Sequence, residues 1–145
     1  MRFWDASAVV SLCMSDPSTP VVRRIAEEDA AIAAWWGTVV ECHSALFRLR
    51  RQGDIGASEV DPARQVVVRL AEGWSEVLPS HEVRDQALRA LSLHQLRAAD
   101  AFQLAAALVW AEGHPQGRHF VSLDSRLRDA ARAEVFTVLP LGLPR

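Results

Sequence analysis

Two aspartates in this chain stand where an apolar strand pattern stops and a helical pattern begins: Asp5 in RFWDASAVV and Asp124 in HFVSLDSRL. In open parallel sheets, ligands bind beyond the carboxyl ends of the strands, so a carboxylate placed there can belong to a site. It can equally cap the helix that follows, whose N-terminus favours negative charge. Two carboxylates at equivalent edges of one sheet favour a shared site over two separate caps. Asp100, in RAADAFQLAAALVWA, opens a helix so apolar that most of its surface must be buried. A carboxylate there has to be hydrogen-bonded, paired, exposed in the first turn or bound to a metal. Glu41, in TVVECHSALFRLRR, lies at the edge of the stripe formed by Val39, Cys42, Ala45, Leu46 and Leu49. Its neighbours at i+3 and i+4, Ser44 and Ala45, offer no ion-pair partner, so it is either an exposed boundary residue or a member of a site. His43 falls on a more polar face and is read as incidental.

The elements that must position these groups alternate along the chain. A strand near residues 2–5 precedes a helix at 7–14, and SDPSTP breaks the chain before a helix at 20–28. A strand is expected at 31–34, then helices at 38–52 and 62–72, with the glycines of QGDIGAS forming the turn between them. WSEVLP reads as a strand, and helices fit 81–93 and 98–112. After the break at EGHPQG come a strand from His119, a helix from Ser125 and a strand from Val135. Short strands separated by helices predict an α/β fold with a central, mainly parallel sheet flanked by helices.

No repeat, low-complexity segment or long linker divides the 145 residues, so residues 1–145 are read as a single domain. Half of the residues are apolar and 23% are charged, values of a folded soluble protein and not of a disordered one. The uncharged stretch from Ala30 to Val40 is shorter than the roughly 20 apolar residues that a spanning helix needs. Asp5 interrupts any signal-peptide pattern, and a cytoplasmic protein with no membrane contact is therefore expected. Cys13 and Cys42, each within an apolar helical pattern, are read as reduced core thiols and not as a disulfide or zinc pair. A net charge of -2 and a pI near 6.2 exclude a global basic field, so any nucleic-acid contact must be local. All sixteen basic residues are arginine, with clusters at Arg23-Arg24, Arg48/Arg50/Arg51 and Arg126/Arg128/Arg132 that read as solvated faces.

In this order, Asp5, Glu41, Asp100 and Asp124 resemble the acidic positions of the PIN domain, especially those of the small VapC-type ribonuclease toxins. The likeness runs through FWDASAVVSL, TVVECHSAL, LRAADAFQLAAA and FVSLDSRLRDAA, and so covers nearly the whole chain. Departures are Ala6 and Ser122, where a hydroxyl and a threonine are common, and Phe102-Gln103, where leucine and histidine often occur. The resemblance implies a metal-dependent endoribonuclease acting as the toxin of a toxin–antitoxin pair. Asp5, Asp100 and Asp124 would be metal ligands, and Glu41 a ligand or an orienter of attacking water. Hard oxygen ligands without histidine or cysteine suit one or two Mg²⁺ or Mn²⁺ ions, and carboxylates brought together would repel one another unless a cation joined them. Such ions polarise a scissile phosphate and activate water, with no covalent nucleophile. Ser7 and Ser122 are candidates to fix a carboxylate or contact phosphate, or else serve as cap and strand-end hydrogen bonds. RNA, a cognate VapB-type antitoxin and a second copy in a homodimer are the implied partners. Trp35, Trp36, Trp74 and Trp110 are candidates for an interface, with core packing the reading for most of them. A non-toxin PIN nuclease of RNA processing and an inactive PIN-like binding module are the alternative functions.

Overall fold

Residues 1–143 are described by the computed structural model, in which strands and helices alternate. The first half runs β1 (Arg2–Trp4), α1 (Ala6–Cys13), α2 (Thr19–Glu28), β2 (Ile32–Trp35), α3 (Thr38–Arg51) and α4 (Ala57–Gly73). The second half runs β3 (Ser75–Val77), α5 (His81–Leu93), α6 (Ala98–Trp110), β4 (His119–Val121), α7 (Ser125–Ala133) and β5 (Thr137–Leu139). All four strand pairings are parallel, in the order β3-β2-β1-β4-β5. The chain builds outward from β1 to one side and then returns to build outward on the other. The direction of winding therefore reverses between β1 and β4, which is where open sheets of this kind form a crevice.

The central strands are apolar on both faces, as parallel strands covered by helices must be. Phe3, Ala33 and Phe120 pack into one core together with Val83, Ala87, Ala90, Leu104 and Leu127 from α5, α6 and α7. Their strand neighbours Trp4, Ala34 and Val121 point the other way. These join Val9, Val22, Cys42, Leu46 and Val67 from α1 to α4. The Phe3 and Phe120 rings stack at 5.5 Å, locking β1 to β4 directly beneath the crevice. On the next strand, Trp35 stacks at 5.5 Å on Phe102, which docks α6 against the end of β2. Trp74 is buried and Trp110 is partly buried, whereas Trp36 is 53% exposed.

Most element boundaries follow the local signals, and α5 has the bounds its pattern predicts, with the Ser80 hydroxyl capping Val83 N–H at 3.1 Å. The main departure is α4, which starts five residues before Pro62 because Val60 belongs to the same buried stripe as Ala63 and Val67. Packing of that stripe outweighs the single backbone hydrogen bond that Pro62 cannot donate. Helix α6 stops at Trp110, short of its predicted end, where Glu112 and Gly113 take positive φ. β5 starts at Thr137 because Val135, with φ 65°, belongs to the turn that ends α7. Both cysteines are free thiols, and burial pushes Cys13 up to about 12 and Cys42 higher still. Arg128 corrects the reading of its arginine cluster: it is 4% exposed and belongs to no solvated face. Among the described residues, no helix is long and apolar enough to cross a membrane.

Candidate active site

Asp5 leaves the end of the central strand and caps α1, taking Ala8 N–H at 3.1 Å on Oδ1. Ser7 donates to the same oxygen at 2.7 Å, and Ser122, at the end of β4, donates to Oδ2 at 2.9 Å. Each hydroxyl also accepts from the segment after β4: Ser7 from Leu123 N–H at 2.9 Å and Ser122 from Asp124 N–H at 3.1 Å. The carboxylate is thereby clamped between two strand ends by groups that are themselves held. Asp124 caps α7 through Leu127 N–H at 2.8 Å. Capping and membership of a common edge are thus both true of Asp5 and Asp124, because the strand-to-helix turn that needs a cap is also the rim of the crevice.

Arg128 secures this rim from below. Its guanidinium donates to the carbonyl of Ser122 at 2.7 Å, of Leu139 at 3.1 Å and of Pro140 at 2.8 Å, tying the ends of β4 and β5 together. Its charge also acts on Asp5.

Glu41 and Asp100 approach from the first turns of α3 and α6. Gly37 permits the first approach, since a Cβ there would lie 2.5 Å from Trp35 Nε1. Gln103, one turn after Asp100 on α6, donates through Nε2 to Glu41 Oε2 and to Thr38 Oγ1, each at 3.0 Å. Asp100 accepts a backbone hydrogen bond from Arg97.

The four carboxylates feel one another in a closed circuit. Asp124 acts on Asp5 and on Asp100, and Glu41 is acted on by both Asp5 and Asp100. Burial lifts Asp5 from 3.8 to about 6 against the three hydrogen bonds that favour its charge, and Asp124 adds to the rise. Burial likewise lifts Glu41 from 4.5 to about 7; the Gln103 bond opposes this, while Asp5 and Asp100 reinforce it. Asp100 is raised by burial and by Asp124, with Arg97 and Arg126 pulling the other way. Among the described residues, no arginine or histidine forms a salt bridge with any of the four. Like charges gathered with no salt-bridged countercharge create a demand for a cation.

The donor set matches hard divalent ions. Among the described residues, no three His, Cys, Asp or Glu side chains form a ready-made metal cage. An open arrangement of carboxylates is nonetheless how Mg²⁺ is commonly held, through one or two carboxylates together with retained waters and substrate phosphates.

The structure thus brings all six candidate residues to one end of the sheet. Asp5, Ser7, Ser122 and Asp124 form one hydrogen-bonded unit, and Glu41 and Asp100 couple to it through their charge. Three contributors were not singled out as working residues from the sequence: Thr38, Gln103 and Arg128. The one available signal was Gln103, a lone amide in the apolar run AFQLAAALVWA, on the same helical face as Asp100.

This is a PIN-like α/β fold. Among solved structures it is similar to VapC20 of Mycobacterium tuberculosis, a sarcin-ricin-loop-cleaving toxin, with a TM-score of 0.64 and 18% identity over 90% of this chain and 95% of that one. FitAcB of Neisseria gonorrhoeae has a TM-score of 0.64 and 15% identity over 97% of both chains. A toxin–antitoxin complex from Klebsiella pneumoniae has a TM-score of 0.58 and 12% identity over 87% of this chain and 88% of that one. At the level of sequence, no family model and no curated protein matches the chain.

Proposed function

We propose that this chain is an endoribonuclease that hydrolyses RNA phosphodiester bonds with Mg²⁺ or Mn²⁺ and acts as the toxin of a toxin–antitoxin pair. The observation that carries the reading is the circuit of four mutually repelling carboxylates, with no salt bridge to any of them among the described residues, at the winding reversal of a PIN-type sheet. Asp5, Asp100 and Asp124 would hold the divalent ion, directly or through retained waters. When bound, that ion supplies charge neutralisation at the scissile phosphate and a more acidic water. Ser7, Ser122 and Ala8 N–H fix the Asp5 carboxylate in one orientation, so no reorganisation is needed as substrate arrives. Glu41, with Oε2 engaged by Gln103, keeps Oε1 for the ion or its attacking water, and its lift to about 7 suits it to take a proton near neutral pH.

Arg97 and Arg126 are exposed and act electrostatically on Asp100, which places cations beside the acidic rim in a chain of net charge -2. They suit contact with the phosphates flanking the cleaved bond. A VapB-type antitoxin is the proposed protein partner, supported by the likeness to a chain from a toxin–antitoxin complex. A homodimer is proposed as well, with exposed Trp36, Val40 and Leu78 as apolar surface available to it.

Purified protein incubated with structured RNAs in Mg²⁺, Mn²⁺ or EDTA tests the proposal. Cleavage should require the metal, and Asp5→Asn should abolish it while leaving the fold intact. Cleavage by the folded variant at the wild-type rate would sink the assignment.

A further inference from the structure

The least expected polar group in the site is the Gln103 amide. Gln103 is 1% exposed, in a helix whose neighbouring residues are alanine, leucine and phenylalanine. Its Oε1 is buried and has no hydrogen-bond partner. Packing alone would be better served by methionine, which has a similar volume and no carbonyl to leave unpaired. What the amide does supply is on its nitrogen: Nε2 carries two hydrogens and meets two acceptors, Thr38 Oγ1 and Glu41 Oε2, each at 3.0 Å. Thr38 and Glu41 are the first and fourth residues of α3, so the amide fastens the first turn of that helix to α6. The bond to Glu41 is charge-assisted when the carboxylate is ionised, and only this orientation of the amide sets a donor against it.

We infer that Gln103 is a positioning residue for Glu41, holding its carboxylate in the acidic cluster so that it can engage the divalent ion and its water. One face of α6 then delivers two parts of the site, the Asp100 carboxylate and, one turn later, the anchor for Glu41. This inference rests on the metal-dependent reading proposed above, and its failure is distinguishable from the failure of that reading.

The test compares wild type, Gln103→Met, Glu41→Gln and the double variant. Mn²⁺ binding is measured by calorimetry, folding by circular dichroism and melting, and kcat and KM on one RNA substrate. Gln103→Met should stay folded and bind Mn²⁺ about tenfold more weakly, the usual scale for losing a hydrogen-bond partner of a metal ligand. Its kcat should fall while KM for RNA changes little. In the Glu41→Gln background the same replacement should leave Mn²⁺ affinity unchanged, because the group it acts through has already been altered. Should Gln103→Met fail to fold, Gln103→Asn keeps the amide but retracts it by one methylene, and should shift affinity in the same direction. Wild-type Mn²⁺ affinity in a folded Gln103 variant, or an equal loss with and without Glu41, overturns the positioning role and leaves the metal site standing. No Mn²⁺ binding by wild type overturns both.

Discussion

Replacing Asp5 by asparagine in metal-free protein probes the electrostatics of the site without relying on activity. Burial lifts this carboxyl from 3.8 to about 6, so between those pH values the folded chain keeps a proton that the unfolded chain has lost. Folding takes up that proton, which makes the stability from this group highest below pH 3.8, falling as pH rises through about 6, and constant above. At about 1.4 kcal/mol per pH unit, the gap between 3.8 and about 6 corresponds to a loss on the order of 2–3 kcal/mol by pH 8. Glu41, lifted to about 7 by burial, pushes in the same direction. Glu134 pushes the other way: despite its burial, hydrogen bonds from Arg89 and His94 hold it below its ordinary value. The informative quantity is therefore the difference between wild type and Asp5→Asn, in which these other groups largely cancel. Urea unfolding followed by tryptophan fluorescence in EDTA, from pH 4 to pH 8, measures it. The variant should gain on wild type by roughly 2–3 kcal/mol across that range, whatever constant offset the amide introduces. A difference that does not change with pH would refute the claim that burial of the Asp5 charge costs the apo protein stability.

Arg128→Met should destabilise the protein by about 3 kcal/mol or more in the same unfolding assay, because the carbonyls of Ser122, Leu139 and Pro140 lose a buried donor. A neutral result would mean that water or backbone movement replaces the guanidinium. Asp100→Asn should raise the melting temperature in EDTA at pH 8, since burial and Asp124 both disfavour its charge. It should also blunt the response to metal: Mn²⁺ at 100 times its dissociation constant should stabilise wild type by about 2.7 kcal/mol and the variant by clearly less. Equal metal-induced shifts would show that Asp100 only completes the first turn of α6.

The sequence by itself determined the elements and their order. Strand pattern, turn residues and helical stripes are written within a few residues of one another, and they located all five strands and every helix, with α5 correct at both ends. They also marked Asp5 and Asp124, since a carboxylate between a strand and a helix is a local signal. Local rules failed where packing at a distance outweighed them: Pro62 reads as a helix start, yet Val60 is drawn into the helix by the core it helps to fill. Only the tertiary structure decided which side chains meet. The bond from Gln103 to Glu41 spans 62 residues of chain, and the bond from Ser122 to Asp5 spans 117. Arg128 looked like one of three surface arginines until the last residue of β5 and the proline after it placed two carbonyls over it. A helix or a cap depends on atoms within a turn of the chain, whereas the field at a carboxylate depends on whatever lies within a few ångströms of it, however far away in sequence.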